Sequence, residues 1–404
     1  MKKTVKLFAA AALSAAIAFG MAGCDLGTSG FGTITIPGLP EPPVPPPSFS
    51  LENLQDNDYW EWVVTDDDTV IIVRYLGPGG HVDIPDALDG LPVVAVARPE
   101  IDVLFQNGML TGTGFQAPAV FPAGILTGVS IPDSVLVIGG GAFSGAFANS
   151  VTSVDIPAGV TRIGNSAFAN NRLTNVNLPA GLTSIGSTAF VQNQLAGVEI
   201  PAGVTSISDG AFFINQLENV DLPAGLRSIG NRAFSVNRLA SVDLPAGLTF
   251  IGVNAFTDNE LASIDIPPGI TVLETSVFSH NRLISVVIPS GVTYIGNSAF
   301  ANNALLESVV IPASVTSIGS GAFGGVAGTI SGDGTIFTTN IALVSVTFLG
   351  RIPLENIGRP GFNIPTQTHF WTCAFAGNLR TQFEQGGPGT YTRVHPSAHW
   401  TRQN

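Results

Sequence analysis

The sequence predicts a repeat solenoid, and three evenly spaced columns of residues predict it. Phenylalanine follows alanine or valine at positions 168, 190, 212, 234, 256, 278 and 300, each 22 residues after the last, and again at 323. Proline closes a short apolar run at 157, 179, 201, 223, 245, 267 and 289, then at 312. Asparagine keeps the register at 149, 171, 193, 215, 237, 259, 281 and 303. Self-similarity at a fixed period of roughly 20–50 residues marks stacked coils, not a globular catalytic domain.

Within one coil, Leu173-Thr174-Asn175-Val176-Asn177-Leu178 alternates so that Val176 and Leu178 share one face of a short strand. Pro179 ends that strand, because it lacks the N–H that a ladder needs. Gly181 is expected to permit the turn, Leu182 and Ile185 to return to the core, Gly186 to turn the chain again and Phe190 to close the coil. One coil cannot bury these side chains alone. Stacking buries them against the next copy, so stability is a sum of coil and nearest-neighbour contributions. With adjacent strands about 4.8 Å apart, eight or nine coils predict a rod or arc roughly 40 Å long.

The unit reads x-x-Asn-x-Leu-x-x-Val-x-Ile/Leu-Pro-x-Gly-Val-Thr-x-Ile-Gly-x-x-Ala-Phe. It resembles the leucine-rich repeat of the BspA-like (Treponema-type) class, strongly over residues 129–323 and loosely from 84 to 375. That family usually carries Cys in the turn after Ala-Phe, where this chain has Asn171, Asn193, Asn215 and their equivalents, as other leucine-rich repeats do. The resemblance implies a leucine-rich-repeat solenoid with one main short β-strand per coil, β-rich and with little helix. It also implies a bacterial cell-surface protein that binds host proteins, matrix or other cells.

The remaining segments follow in order. Residues 1–23 read as a targeting peptide: Lys2, Lys3 and Lys6 precede an apolar stretch over residues 7–19 that is short for a membrane span. Met21-Ala22-Gly23-Cys24 resembles a lipobox, with Met21 where Leu is usual. The resemblance implies cleavage before Cys24 and a lipid on its sulfur, hence a chain anchored outside the cytoplasm to the bacterial envelope, at the outer membrane or cell surface. An ordinary secretory peptide with an incidental Cys is the alternative. Residues 24–50 form a linker with seven prolines over residues 37–47, a semi-rigid polyproline spacer. Residues 51–128 are expected to hold an N-terminal cap and degenerate repeats. Strands are expected at Trp60–Val64 and Val70–Tyr75, with a register break over residues 98–126. Regular repeats fill 129–323, and 324–404 holds a Gly-rich insertion, a last clear strand ending at Phe348, a short helix over 378–384 and a cap using Tyr391 and Trp400.

Chemistry is sparse. A net charge of −13 argues against nucleic acid, which selects basic surfaces. Asp66, Asp67 and Asp68 lack the Gly and closing Glu of a calcium loop and read as a solvated turn. Cys373 is left without an intrachain partner once Cys24 is lipidated. His369, Cys373, His395 and His399 have a spacing that zinc could use, against incidental histidines in a cap. No Gly-x-Ser-x-Gly elbow and no phosphate loop is present. The expectation is a non-enzymatic protein without cofactor or metal.

The informative constellation is a further column. On the predicted concave strand the outward residue is Asp155, Asn177, Glu199, Asp221, Asp243 and Asp265, then Val287 and Val310. Like charges opposite one another on a sheet are destabilising. Two readings stay open: an acidic face that docks a basic or amide-rich protein partner, as in an adhesin, or a wet strand face tolerating any soluble residue on a structural lipoprotein of the envelope. The asparagine column reads differently, as inward amides that satisfy buried turn backbone.

Overall fold

The computed structural model describes residues 54–97, 120–324, 345–349, 389–392 and 401–403, which form strands and turns without helix. The targeting peptide with Cys24, the proline-rich linker, residues 98–119 of the register break, residues 325–344, the expected helix at 378–384, the set His369, Cys373, His395 and His399, and Trp400 all lie outside the described residues.

The coils build two parallel ladders. The first is the strand that the alternation predicts. Gly197–Glu199 pairs Asn219–Asp221, and Ser285–Val287 pairs Ser308–Ile311, which pairs Ser345–Phe348. Single bridges join Asp155 to Asn177 and Asp265 to Val287 in the same register. The second ladder adds a two-residue strand at the Thr-x-Ile step: Arg162–Ile163 pairs Ser184–Ile185, and Ser206–Ile207, Ser228–Ile229 and Phe250–Ile251 pair in succession. In each the isoleucine is buried and the residue before it stays at the surface. So short an alternation is too brief to stand out as a strand in sequence.

The caps close different ladders. Trp60–Val64 and Val70–Tyr75 form the expected antiparallel hairpin. Val70–Tyr75 then pairs in parallel with Leu91–Val96, which pairs Val137–Ile138, so the N-terminal cap runs directly into the isoleucine ladder. At the other end Ser345–Phe348 is not the last strand. Gly389–Thr392 adds antiparallel to it and Thr401–Arg402 adds to that. These strands extend the first ladder. They carry no apolar-triplet signature, which is why the repeat pattern does not announce them.

The phenylalanine column is the core. Rings from Phe143 to Phe323 stack coil upon coil, with centroids 5.3–5.8 Å apart and planes within 2–19° of parallel. Offset stacking of this kind contributes about 0.5–1.5 kcal/mol per pair beyond area burial. Phe121 continues the stack onto Phe143 at 4.9 Å, and Tyr75 and Trp60 close it, 4.7 Å from each other. The stretch that breaks the register in sequence therefore still ends in a coil-forming phenylalanine.

The asparagine column locks neighbouring coils. From Asn171 to Asn303 each Oδ1 accepts the N–H that begins the apolar run of the preceding coil, at 3.0–3.2 Å. Each Nδ2 donates to the phenylalanine carbonyl of the preceding coil at 2.8–3.0 Å and to that of its own coil at 2.9–3.3 Å. Asn149 keeps the spacing but stands outside this ladder: it is exposed, and Phe147 supplies the N–H that Asn171 accepts. The one 23-residue step comes from an extra residue after Asn303, where Leu306 N–H closes a turn on the Asn303 carbonyl and Leu305 is turned outward.

Two glycine expectations change. A Cβ on Gly186 would lie 2.5 Å from backbone atoms of Gly164 and Asn165 in the preceding coil, so close approach, not turning, requires this glycine. Gly181 has no positive φ, and a Cβ there would make ordinary contact. The left-handed positions fall instead on two columns, one before Ala-Phe, where Gly141, Gly210 and Gly321 alternate with Ser166, Thr188 and Arg232, and one before Asn, with Asn170, Ile214 and Val236. β-branched residues are strained there.

Two stability changes follow. Asn237→Ala removes the acceptor for Leu217 N–H and the donor to the carbonyls of Phe212 and Phe234. It is expected to cost about 2–3 kcal/mol, since a buried orphan donor alone costs about 1–3 kcal/mol; the denaturant midpoint measures it, and an unchanged midpoint contradicts the locking role. Val236 has φ 57° and a side chain 39% exposed. Val236→Asn is expected to raise the melting temperature by the relief of about 1 kcal/mol of strain, with no core lost.

Candidate ligand-binding face

The first ladder carries two outward rows. One is the predicted column: Asp155, Asn177, Glu199, Asp221, Asp243 and Asp265 are all exposed, as are Val287 and Val310 beyond them. The alternation places them there, because Val154, Val176, Val198, Val220, Val242 and Ile264 before them are buried. Glu199 lies directly across from Asp221 on paired strands. Asn177 bridges to Asp155, and Val287 bridges to Asp265. Asp243 is exposed in the same column, but its coil makes no named strand in the first ladder. The structure thus brings these six residues onto one face, at one coil per step.

Sequence reasoning began the column too late. Gly80–Asp83 pairs in parallel with Leu126–Ser130 and matches Asp83 with Ser130. Both occupy the outward position, so the column starts at Asp83. There Ser130 Oγ donates to Asp83 Oδ1 at 2.6 Å and meets His81 Nε2 at 2.9 Å. The signal was present in Val82-Asp83-Ile84-Pro85 and Val129-Ser130-Ile131-Pro132, hidden by their spacing of 47 residues.

The second row, two residues earlier on each strand, is small or polar: Ser153, Asn175, Gly197, Asn219, Ser241, Ser263, Ser285 and Ser308. Glycine at 197 lets the side chain of Asn219 lie across the strand, since a Cβ there would stand 2.6 Å from Asn219 Oδ1. Over these coils the face forms a groove of about 840 Å³, with Asn177, Glu199 and Asp221 among its lining residues and Ala180, Ala196 and Ala202 beside them.

From Asp155 to Asp265 none of the column carboxylates makes an ion pair among the described residues; Asp83, at the start of the column, meets His81. The pairs found there are Arg74–Glu61, His81–Asp83, His280–Asp258 and Arg282–Glu260. Arg282–Glu260, at 3.0 Å, joins neighbouring coils at the rim, where the residue after each asparagine is solvated. No lysine follows Lys6 in the sequence, so the array can balance its carboxylates only with arginines and the occasional histidine. The tyrosines displaced in pKa stand off the face. Burial, and secondarily Tyr59, raises Tyr75; burial, and secondarily Glu274, raises Tyr294. What the face offers chemically is a row of solvated carboxylates and amides at strand spacing. Such a row recognises cations and hydrogen-bond donors; no side chain on it is arranged as a nucleophile with its base.

The family model described as BspA type leucine rich repeat region (6 copies) matches residues 119–237 and 205–328. Among solved structures, a leucine rich cell surface protein from Faecalibacterium prausnitzii is 23% identical, with a TM-score of 0.38 over 74% of this chain and 95% of its own. A leucine-rich repeat protein from Bacteroides ovatus is 20% identical, with a TM-score of 0.39 over 73% and 88%. The leucine rich repeat protein of T. pallidum is 26% identical, with a TM-score of 0.33 over 45% and 88%. No curated protein matches the sequence.

Like charges facing one another across a ladder leave a measurable mark. The double substitution Glu199→Gln and Asp221→Asn is expected to stabilise the chain by about 0.2–1 kcal/mol at low ionic strength. Thermal melts in rising salt should show that gain shrinking as screening removes it from the parent chain. Destabilisation would mean that the carboxylates hold an internal contact.

Proposed function

The chain belongs to the BspA-type leucine-rich repeat family, and from that premise we propose that it is a non-enzymatic binding protein of the bacterial cell surface, an adhesin that presents its first-ladder face to a protein partner or matrix. One observation carries the reading. The face holds an exposed carboxylate at five of the six coils from Asp155 to Asp265, and none of these five makes an ion pair among the described residues. A row of that kind costs stability and serves nothing inside the fold. A basic or amide-rich surface laid over it would neutralise the charge and fill the groove beside Glu199 and Asp221.

In this reading Cys24 carries the lipid and the prolines over 37–47 hold the repeats away from the membrane. More than one acyl chain is needed for stable anchoring, which a lipoprotein cysteine provides. Among the described residues no helix is long and apolar enough to cross a membrane.

Two measurements check the proposal. Cys24→Ser should abolish incorporation of labelled palmitate and release the chain from membranes; retention of label would place the lipid elsewhere. Purified chain should bind immobilised matrix or bacterial-surface proteins and be released as salt rises. Replacing Glu199, Asp221 and Asp243 by their amides should weaken that capture several-fold at a melting temperature no lower than that of the parent chain. Capture indifferent to both salt and substitution would remove the face from the function. A chain protected from added protease on intact cells would favour a scaffold inside the envelope.

A further inference from the structure

The first-ladder face changes character along its length. From Asp155 to Asp265 its column is acidic apart from Asn177, and at Val287 and Val310 it becomes apolar. These valines are 76% and 46% exposed, on strands paired in register with each other. Ile284, Leu305 and Leu349, which lie outside the strands of these coils, are exposed as well. In the coils from Asp155 to Asp265 the exposed large apolar side chains are Val236 and Phe250, and both lie away from the column. An apolar cluster on a wet sheet face marks an interaction surface, whereas scattered single residues do not. Asp265 bridges to Val287, so the cluster continues the acidic row without interruption.

Resting on the reading of this face as the binding surface, we propose that its occupant is a polypeptide segment built in two parts, one basic and one apolar, lying along the stacking direction. The basic part sits over Glu199, Asp221, Asp243 and Asp265, where charge complementarity selects it. The apolar part covers Val287 and Val310. The path from Glu199 to Val310 crosses five coil steps, about 24 Å at strand spacing, and an extended segment of roughly seven or eight residues spans it. The row of serines beside the apolar end, Ser285 and Ser308, leaves room for the segment's backbone and offers it hydroxyls. The two ends differ, so the face fixes direction as well as position. A globular partner that needed only negative charge would gain nothing from Val287 and Val310.

The test uses the full chain and two synthetic 12-residue peptides of identical composition, one with its lysines in one half and its valines in the other, one with the two interleaved. Isothermal titration should show the segmented peptide binding about tenfold tighter, the value expected for covering one or two exposed valines. The double substitution Val287→Asn and Val310→Asn should erase that advantage while leaving the salt dependence intact. Both positions are exposed, and matching melts confirm that the fold survives. Equal affinity for the two peptides, with binding still lost when Glu199, Asp221 and Asp243 become amides, would overturn the two-part segment and leave the acidic face standing. Failure of either peptide to respond to any of these substitutions would overturn both. Sedimentation showing a dimer of the parent chain that Val310→Asn dissolves would also overturn it, by assigning the apolar end to a second copy.

Discussion

The constraint on which the structure depends is the register between one coil and the next. Two columns impose it. The phenylalanine rings define how far apart coils lie, and the asparagine amides define which residue faces which. Each asparagine in the ladder ties an N–H from the coil before to carbonyls of both coils, so a slip by one residue would orphan donors and acceptors in the core. Buried polar groups cost about 1–3 kcal/mol each when unpaired. Hydrophobic burial also opposes such a slip, which would turn the buried side chains outward, and the amides add their own penalty to it.

That register places function on the surface. Because Val198 is buried opposite Val220, Glu199 must emerge opposite Asp221. The same reasoning lines up Val287 with Val310. The core therefore acts as a ruler, and the outward residue of each coil is free to change without disturbing it. The array uses that freedom unevenly, acidic for most of its length and apolar near the end. The core positions vary only among apolar residues, as at Val160, Leu182, Val204 and Ile270, while the outward positions change in charge and polarity.

Much of this was legible in the sequence because the repeat is read many times over. The phenylalanine, proline and asparagine columns, the buried valine of each strand and the outward acidic residues all follow from period and alternation. The N-terminal hairpin was legible from its own alternation. What was not legible lacks repetition or depends on neighbours. The isoleucine ladder is two residues deep and shows no pattern of its own. Asn149 has the right spacing and the wrong surroundings: it is exposed, and in its coil Phe147, not Val151, gives the N–H that Asn171 accepts. Asp83 and Ser130 are joined across a long gap in the chain. Gly186 is needed for the approach of a backbone that only the stacked structure brings near, while left-handed turns fall on residues such as Ile214 and Val236 that no turn propensity would choose.

The most direct test of the account is hydrogen–deuterium exchange of the chain with and without a lysine-rich peptide at low salt. The account predicts added protection along the first-ladder strands, at 197–199 and 219–221 and in the matching residues of their neighbours, with the isoleucine strands at 206–207 and 228–229 unchanged. Protection confined to the isoleucine side, or spread evenly over both ladders, would contradict it.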